Sequence, residues 1–127
     1  MSIMNFFLFF EKFLDAQNFI FSGSIEIKIA DSKIEISRDR IIVDIRAPHK
    51  LKKMLVGSMG SLRDGLKMLN EAGKMLKAKK KTLILKYDGE DVAVMGYNAS
   101  PGIFGKVEIK SKISLMKLLA AFMQGQE

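Results

Sequence analysis

The sequence predicts a single α+β domain. It expects an antiparallel sheet of five or six strands with an N-terminal Phe-rich helix, a broken central helix and a C-terminal helix. Three observations carry this. Isoleucines alternate with polar residues at Ile25, Ile27 and Ile29 and again at Ile34 and Ile36, which is the two-residue period of half-buried strands. Leu51, Leu55, Leu62, Leu66, Leu69 and Leu76 fall in one arc at about 100° per residue, the core-facing stripe of a helical region. Asp88-Gly89 separates two apolar runs, a strong hairpin signal. A length of 127 residues with 48% apolar and 28% charged residues suits one globular domain.

The first element is a helix over Met4 to Gln17. Phe6, Phe9, Phe10, Phe13 and Leu14 share one side, and Asn5, Glu11, Lys12, Asp15 and Asn18 gather on the other. Phe7 and Leu8 widen the apolar face, so the helix should dock on the sheet. The apolar run from Ile3 to Phe10 is much shorter than the roughly 18 to 20 residues a bilayer span needs. No Lys or Arg precedes it, as a signal peptide would require. The expectation is a cytoplasmic protein.

Ser22-Gly23 ends this helix. Three strands follow, carrying Ile25, Ile27 and Ile29, then Ile34 and Ile36, then Ile41, Val43 and Ile45. Asp31-Ser32 and Arg38-Asp39 are the expected turns, and such short turns indicate antiparallel hairpins with one wet face. Glu26 and Lys28 are expected to pair with Lys33 and Glu35 across the first hairpin.

Pro48 suits the first position of the central helical region. Gly57-Ser58-Met59-Gly60-Ser61 then interrupts it, because each Gly costs about 1 kcal/mol inside a helix. Ser61 and Asp64 resemble a capping box. The reading is two helices, 48–56 and 61–78, joined by a hinge. The Gly-Ser stretch lacks the terminal Lys-Ser/Thr of a phosphate loop. Strands over Thr82 to Tyr87 and Asp91 to Gly96 flank Asp88-Gly89. Leu83, Leu85 and Tyr87 should share one face, and Val92, Val94 and Gly96 another. A loop holding Pro101-Gly102 and Ile103-Phe104 leads to a strand over Lys106 to Lys110. The last helix, Ile113 to Met123, is apolar at Leu115, Leu118, Leu119 and Phe122. Its polar side is thin: Ser114, Lys117 and Gln124.

The chemistry-bearing residues are sparse. The chain has no Cys and one His, His49, which argues against disulfides, thiolate metal sites and His-based relays. Asp88, Glu90 and Asp91 read as turn residues. With no nucleophile–base pair, the expectation is a protein that is not an enzyme and uses no cofactor or metal. Charge is more informative. The chain carries +7 overall, yet Arg46 and the stretch from Pro48 to Lys81 hold eleven Lys or Arg against only Asp64 and Glu71. Lys67, Lys74, Lys77, Lys79, Lys80 and Lys81 are therefore the candidate contacts for an anionic surface.

The chain also has nine Met. Met54, Met59, Met68 and Met75 border the leucine stripe, and Met116 and Met123 lie on the last helix. Met adapts to irregular apolar partners. The candidate lining of an apolar site is Met59, Leu62, Leu66, Met68, Leu69, Met75, Phe104, Leu115, Met116 and Leu119.

Gly105-Lys106-Val107-Glu108-Ile109-Lys110, followed by Ile113 and Leu115, resembles the end of sterol carrier protein domains. In that lipid-transfer family a strand of this kind leads into a Met- and Leu-rich helix that closes an apolar tunnel. The resemblance covers the C-terminal strand and helix. It implies non-enzymatic binding of lipids or acyl chains. Together with the basic stretch it makes a lipid or other apolar small molecule the expected ligand, and an anionic membrane surface and a second copy of the chain the expected partners. The alternatives are nucleic-acid binding through the same basic face and a structural, self-associating subunit. Against nucleic acid, no aromatics interleave with the lysines.

Overall fold

A computed structural model describes residues 3–55, 62–100 and 107–124. The chain is an α+β domain with the element order expected. Helix α1 spans Ile3–Ala16 and runs into a 3-10 turn at Gln17–Phe19. Strands β1 (Ile25–Ile29), β2 (Ser32–Ile36) and β3 (Arg40–Ile45) follow. Helices α2 (Pro48–Leu55) and α3 (Leu62–Ala78) come next. Strands β4 (Thr82–Tyr87), β5 (Glu90–Gly96) and β6 (Val107–Ile109) precede the last helix, α4 (Lys112–Gln124). The Gly-Ser hinge and the Ile103-Phe104 loop lie outside the described residues.

All six strands form one sheet in the order β1-β2-β3-β4-β5-β6. Every neighbouring pair is antiparallel except β3 and β4, which run parallel. The all-antiparallel expectation is corrected at this pair. A parallel neighbour needs a long crossover, and α2 and α3 supply it.

The register lays apolar rows across the sheet. Ile25, Ile36, Ile41, Leu83, Met95 and Val107 form one row, and Ile27, Ile34, Val43, Leu85, Ala93 and Ile109 the next. Helix α3 packs over β4, β5 and β6, α4 over β4 and β5, and α1 against α3. The core is Leu14 of α1, Leu76 of α3 and sheet residues Ile41, Val92, Ala93, Met95 and Val107. Phe10 and Phe13 pack on its margin. The Phe-rich helix thus packs chiefly on α3 and reaches the core through Leu14, Phe10 and Phe13, while Phe9, expected on that same side, is 61% exposed.

Two turns set the details. Asp88 and Gly89 both adopt left-handed φ angles, 50° and 84°, as a two-residue type I′ hairpin requires. The first hairpin turns at Ala30-Asp31, with φ 49° and 68°, one residue earlier than expected. Ser32 is thereby drawn into β2, where its buried Oγ accepts a hydrogen bond from the Arg46 N–H at 3.1 Å. The shift places Glu26 opposite Glu35 and Lys28 opposite Lys33. The expected facing of opposite charges is thus replaced by facing like charges, with one diagonal ion pair, Lys33–Glu26, at 3.6 Å.

A β-bulge corrects a second expectation. Leu85 pairs with Ala93 and Lys86 with Asp91, leaving Val92 as the extra residue. Val92 and Ala93 both join the core, while Val94 pairs with Ile84 on the other face. Val92 and Val94 therefore do not share a side, as simple alternation would have them do.

Candidate functional site

The candidate lysines divide into a structural group and an exposed group. Helix α3 ends in a Schellman motif. The Lys80 N–H donates to Lys77 O at 3.0 Å and the Lys81 N–H to Leu76 O at 2.8 Å. Lys80 holds the left-handed position with φ 58°, a place usually taken by Gly. This turn sends Lys81 inward, where it is 3% exposed. Its ammonium donates to Asn18 Oδ1 at 2.6 Å and Arg38 O at 2.5 Å. Burial pushes its pKa below the ordinary lysine value, with Arg38 adding to the shift and the carboxylates of Asp39 and Asp15 opposing it. Lys81 is thus a buried tie between the end of α1 and the β2–β3 turn, not a contact for an outside anion.

Lys79 is likewise committed. It pairs with Asp15 at 2.9 Å and Glu11 at 3.8 Å on α1, and the hydrogen bond it donates to Asp15 raises its pKa. Gln17, also buried, completes the tie by donating to Ser37 O at 2.8 Å and Arg40 O at 3.3 Å. Sequence reading missed this latch, because a Lys in a run of lysines carries no mark of burial. Lys67, Lys74, Lys77 and Lys80 do face solvent. Lys74 has Glu71 within 3.4 Å on the same helix, a surface pair of small energetic weight.

The apolar candidates divide in the same way. Met75 and Leu115 pack against the core, and Met68 is half-buried. Leu69, Met116 and Leu119 are exposed. Leu62 and Leu66 fall in the opening turns of α3, and Met59 and Phe104 lie outside the described residues.

Helix α4 is consequently apolar on two opposite sides. Leu118 and Leu115 face the sheet, while Ile113, 72% exposed, Met116, 65% exposed, and Leu119 face outward. At about 100° per residue Ile113, Met116, Leu119 and Ala120 form one outward arc; the exposed Lys112 lies within it and the exposed Lys117 borders it. A helix apolar all round is ordinarily covered on all sides. Its neighbour is α2, whose sequence carries Lys50, Lys52 and Lys53. Lys50 forms a short contact with Asp31, whose pKa it lowers. The outer face of α1 also shows Met4, Leu8 and Phe9, but Glu11 and Asp15 share it.

The start of α4 is firmly built. The Ser111 Oγ accepts the Ser114 N–H at 3.1 Å, a standard N-cap, and the buried Ser114 hydroxyl makes a short hydrogen bond to Glu90. The Val92 carbonyl at the bulge accepts from the N–H groups of both Lys110 and Ser111, at 2.8 and 3.3 Å. The outward stripe is therefore presented by a rigid support.

Among the described residues no group of three or more His, Cys, Asp or Glu is placed to hold a metal ion. None of the described helices is long and apolar enough to cross a membrane. On the open face of the sheet, Glu26, Lys33, Glu35, Ile42, Asp44 and Lys86 line a shallow groove of mixed charge.

No family model matches the chain, and no solved structure matches it at a significant level. It is 35% identical over 123 residues to the uncharacterized protein MJ1540 of Methanocaldococcus jannaschii, a match spanning 84% of this chain and 90% of that one. The chain belongs to the same family as that protein.

Proposed function

We propose that the protein is a non-enzymatic binder of lipids or other apolar molecules, acting at an anionic surface through the outward side of α4. The observation that supports this reading is the exposed stripe Ile113, Met116 and Leu119, set among Lys112 and Lys117 beside the basic helix α2. Apolar side chains that enter a headgroup layer, with cations at their flanks, are the chemistry of an interfacial helix. The charge of each face chooses between the two apolar helices. The outer side of α1 sets Glu11 and Asp15 against Lys12, and both carboxylates are already paired with Lys79, so it offers an anionic surface no excess of positive charge. The outer side of α4 holds only cations among its charged residues. The proposed contacts thus move from the end of α3 to α4 and α2. The resemblance to sterol carrier domains lies in the same strand and helix.

The test is co-sedimentation with phosphatidylglycerol vesicles and with phosphatidylcholine vesicles. Each lysine near an anionic bilayer adds on the order of 1 kcal/mol, so removing two weakens binding roughly 30-fold. The double variant Lys112→Gln/Lys117→Gln is expected to lose that much on phosphatidylglycerol. Ile113→Ser/Met116→Ser is expected to weaken binding to both vesicles. Indifference of the wild-type protein to both vesicles, with tight salt-dependent binding to an oligonucleotide, would overturn the reading in favour of nucleic acid.

A further inference from the structure

The free edge of the sheet carries a second, independent feature. Strand β1 reads Ile25-Glu26-Ile27-Lys28-Ile29 and forms one margin of the sheet. Natural edge strands are usually shortened, bent or capped with inward charge to stop them pairing. This one is a regular five-residue strand without Pro, and its apolar side is open. Ile25 is 51% exposed, Ile27 is exposed beside it, and Phe21 just ahead of the strand is 84% exposed.

The hydrogen-bond phase of β1 follows from its turn. In a two-residue hairpin the residues flanking the loop, Ile29 and Ser32, form a hydrogen-bonded pair, and the pattern then alternates. Ile25, Ile27 and Ile29 thus direct their N–H and C=O groups toward β2. Glu26 and Lys28 direct theirs outward, where none of the described strands lies.

We propose that β1 pairs with β1 of a second copy, antiparallel, about a two-fold axis through Ile27. In that register Glu26 of each chain stands opposite Lys28 of the other, and these pairs exchange the four outward hydrogen bonds. Ile27 meets its own counterpart at the axis, and Ile25 faces Ile29. The strand is its own complement in charge as well as in shape, which is what an isologous contact requires. The pairing also answers a misfit inside the monomer. Within the hairpin Glu26 faces Glu35 and Lys28 faces Lys33, arrangements that are unfavourable when directly opposite. The second copy brings the opposite charge to the other side of each. The product is a continuous twelve-stranded sheet whose apolar face gathers the exposed isoleucines of both copies.

The measurement is sedimentation equilibrium over a range of protein concentrations, joined to cross-linking. Glu26→Lys and Lys28→Glu should each weaken self-association at least tenfold, because each sets two like pairs across the axis. The double variant Glu26→Lys/Lys28→Glu should restore it. The chain has no cysteine, so Ile27→Cys gives one thiol per copy. Non-hydrogen-bonded partners sit with Cα atoms about 4.5 Å apart, within disulfide reach. Ile27→Cys should form a disulfide-linked dimer on mild oxidation, and Lys33→Cys on the neighbouring strand should not. A wild-type protein that stays monomeric at high concentration would overturn the proposal. So would a dimer that ignores the charge variants or fails to cross-link at Ile27.

Discussion

Two parts of one sheet have the same sequence character and different fates. Strand β1 alternates isoleucine with charge and keeps its isoleucines largely in solvent. Strands β4 and β5 carry comparable apolar positions, yet Val92, Ala93 and Met95 are buried under α3 and α4. The difference is not in the strands but in the reach of the helices. The helices pack over β4, β5 and β6, and α1 joins them through α3. An alternating pattern therefore tells which side of a strand is apolar, and leaves open what covers it.

The sharpest way to test that contrast is to damage each part alike. Leu76→Ala, at a fully buried position, should cost about 2–5 kcal/mol. Gly96→Ala should cost on the order of 3 kcal/mol or more, since its new Cβ would lie 2.5 Å from Lys81 O and 2.7 Å from Leu76 Cβ, at a φ of +100°. Ile27→Ala, studied at a concentration where the protein is monomeric, should cost only about 1 kcal/mol, because much of its surface is already wet. Urea unfolding of the three variants reads all of this. An Ile27 loss as large as that at Leu76 would mean that β1 is covered within its own chain.

A middle-sized effect concerns the latch that joins the end of α1 to the β2–β3 turn. Burial lowers the Lys81 pKa in the folded state, so the unfolded chain holds that proton more tightly. Stability should therefore rise with pH through the alkaline window between the folded pKa and the ordinary lysine value, and be flat below it with respect to this group. The difference in unfolding free energy between wild type and Lys81→Met, followed from pH 7 upward, isolates the slope. A difference that falls as pH rises would contradict the burial of the ammonium.

The smallest effect is a gain. Lys80 occupies a left-handed C-terminal position that Gly fills without steric cost. Lys80→Gly should stabilise the protein by about 0.5–1 kcal/mol, seen as a higher urea midpoint with an unchanged slope.

Much of this architecture was legible in the residues. The Asp88-Gly89 turn, the isoleucine alternations and the Phe10, Phe13 and Leu14 side of α1 are local signals, and the structure follows them. What escaped was non-local. Ala30-Asp31 turns instead of Asp31-Ser32 because Ser32 finds the Arg46 N–H across the sheet. Lys81 is buried because the C-terminal turn of α3 aims it at Asn18 and Arg38, far away in sequence. The parallel pairing of β3 with β4 follows from where a two-helix crossover returns the chain. For the candidate site, the thin polar side of the last helix was visible. That Ile113 and Met116 stay uncovered depends on where the other helices end.

The bulge at Val92 has a consequence for how this family can vary in length. In a regular strand, losing one residue turns every later side chain to the opposite face. Here Val92 and Ala93 already point the same way, so deleting Val92 would leave Asp91, Val94 and the buried Ala93 and Met95 on their present sides. What would change is the carbonyl that receives the Lys110 and Ser111 N–H groups, and with it the aim of α4. Position 92 is a place where a one-residue gap edits the helix's heading and spares the sheet. A relative shortened there would present a differently tilted outer stripe on an unaltered frame.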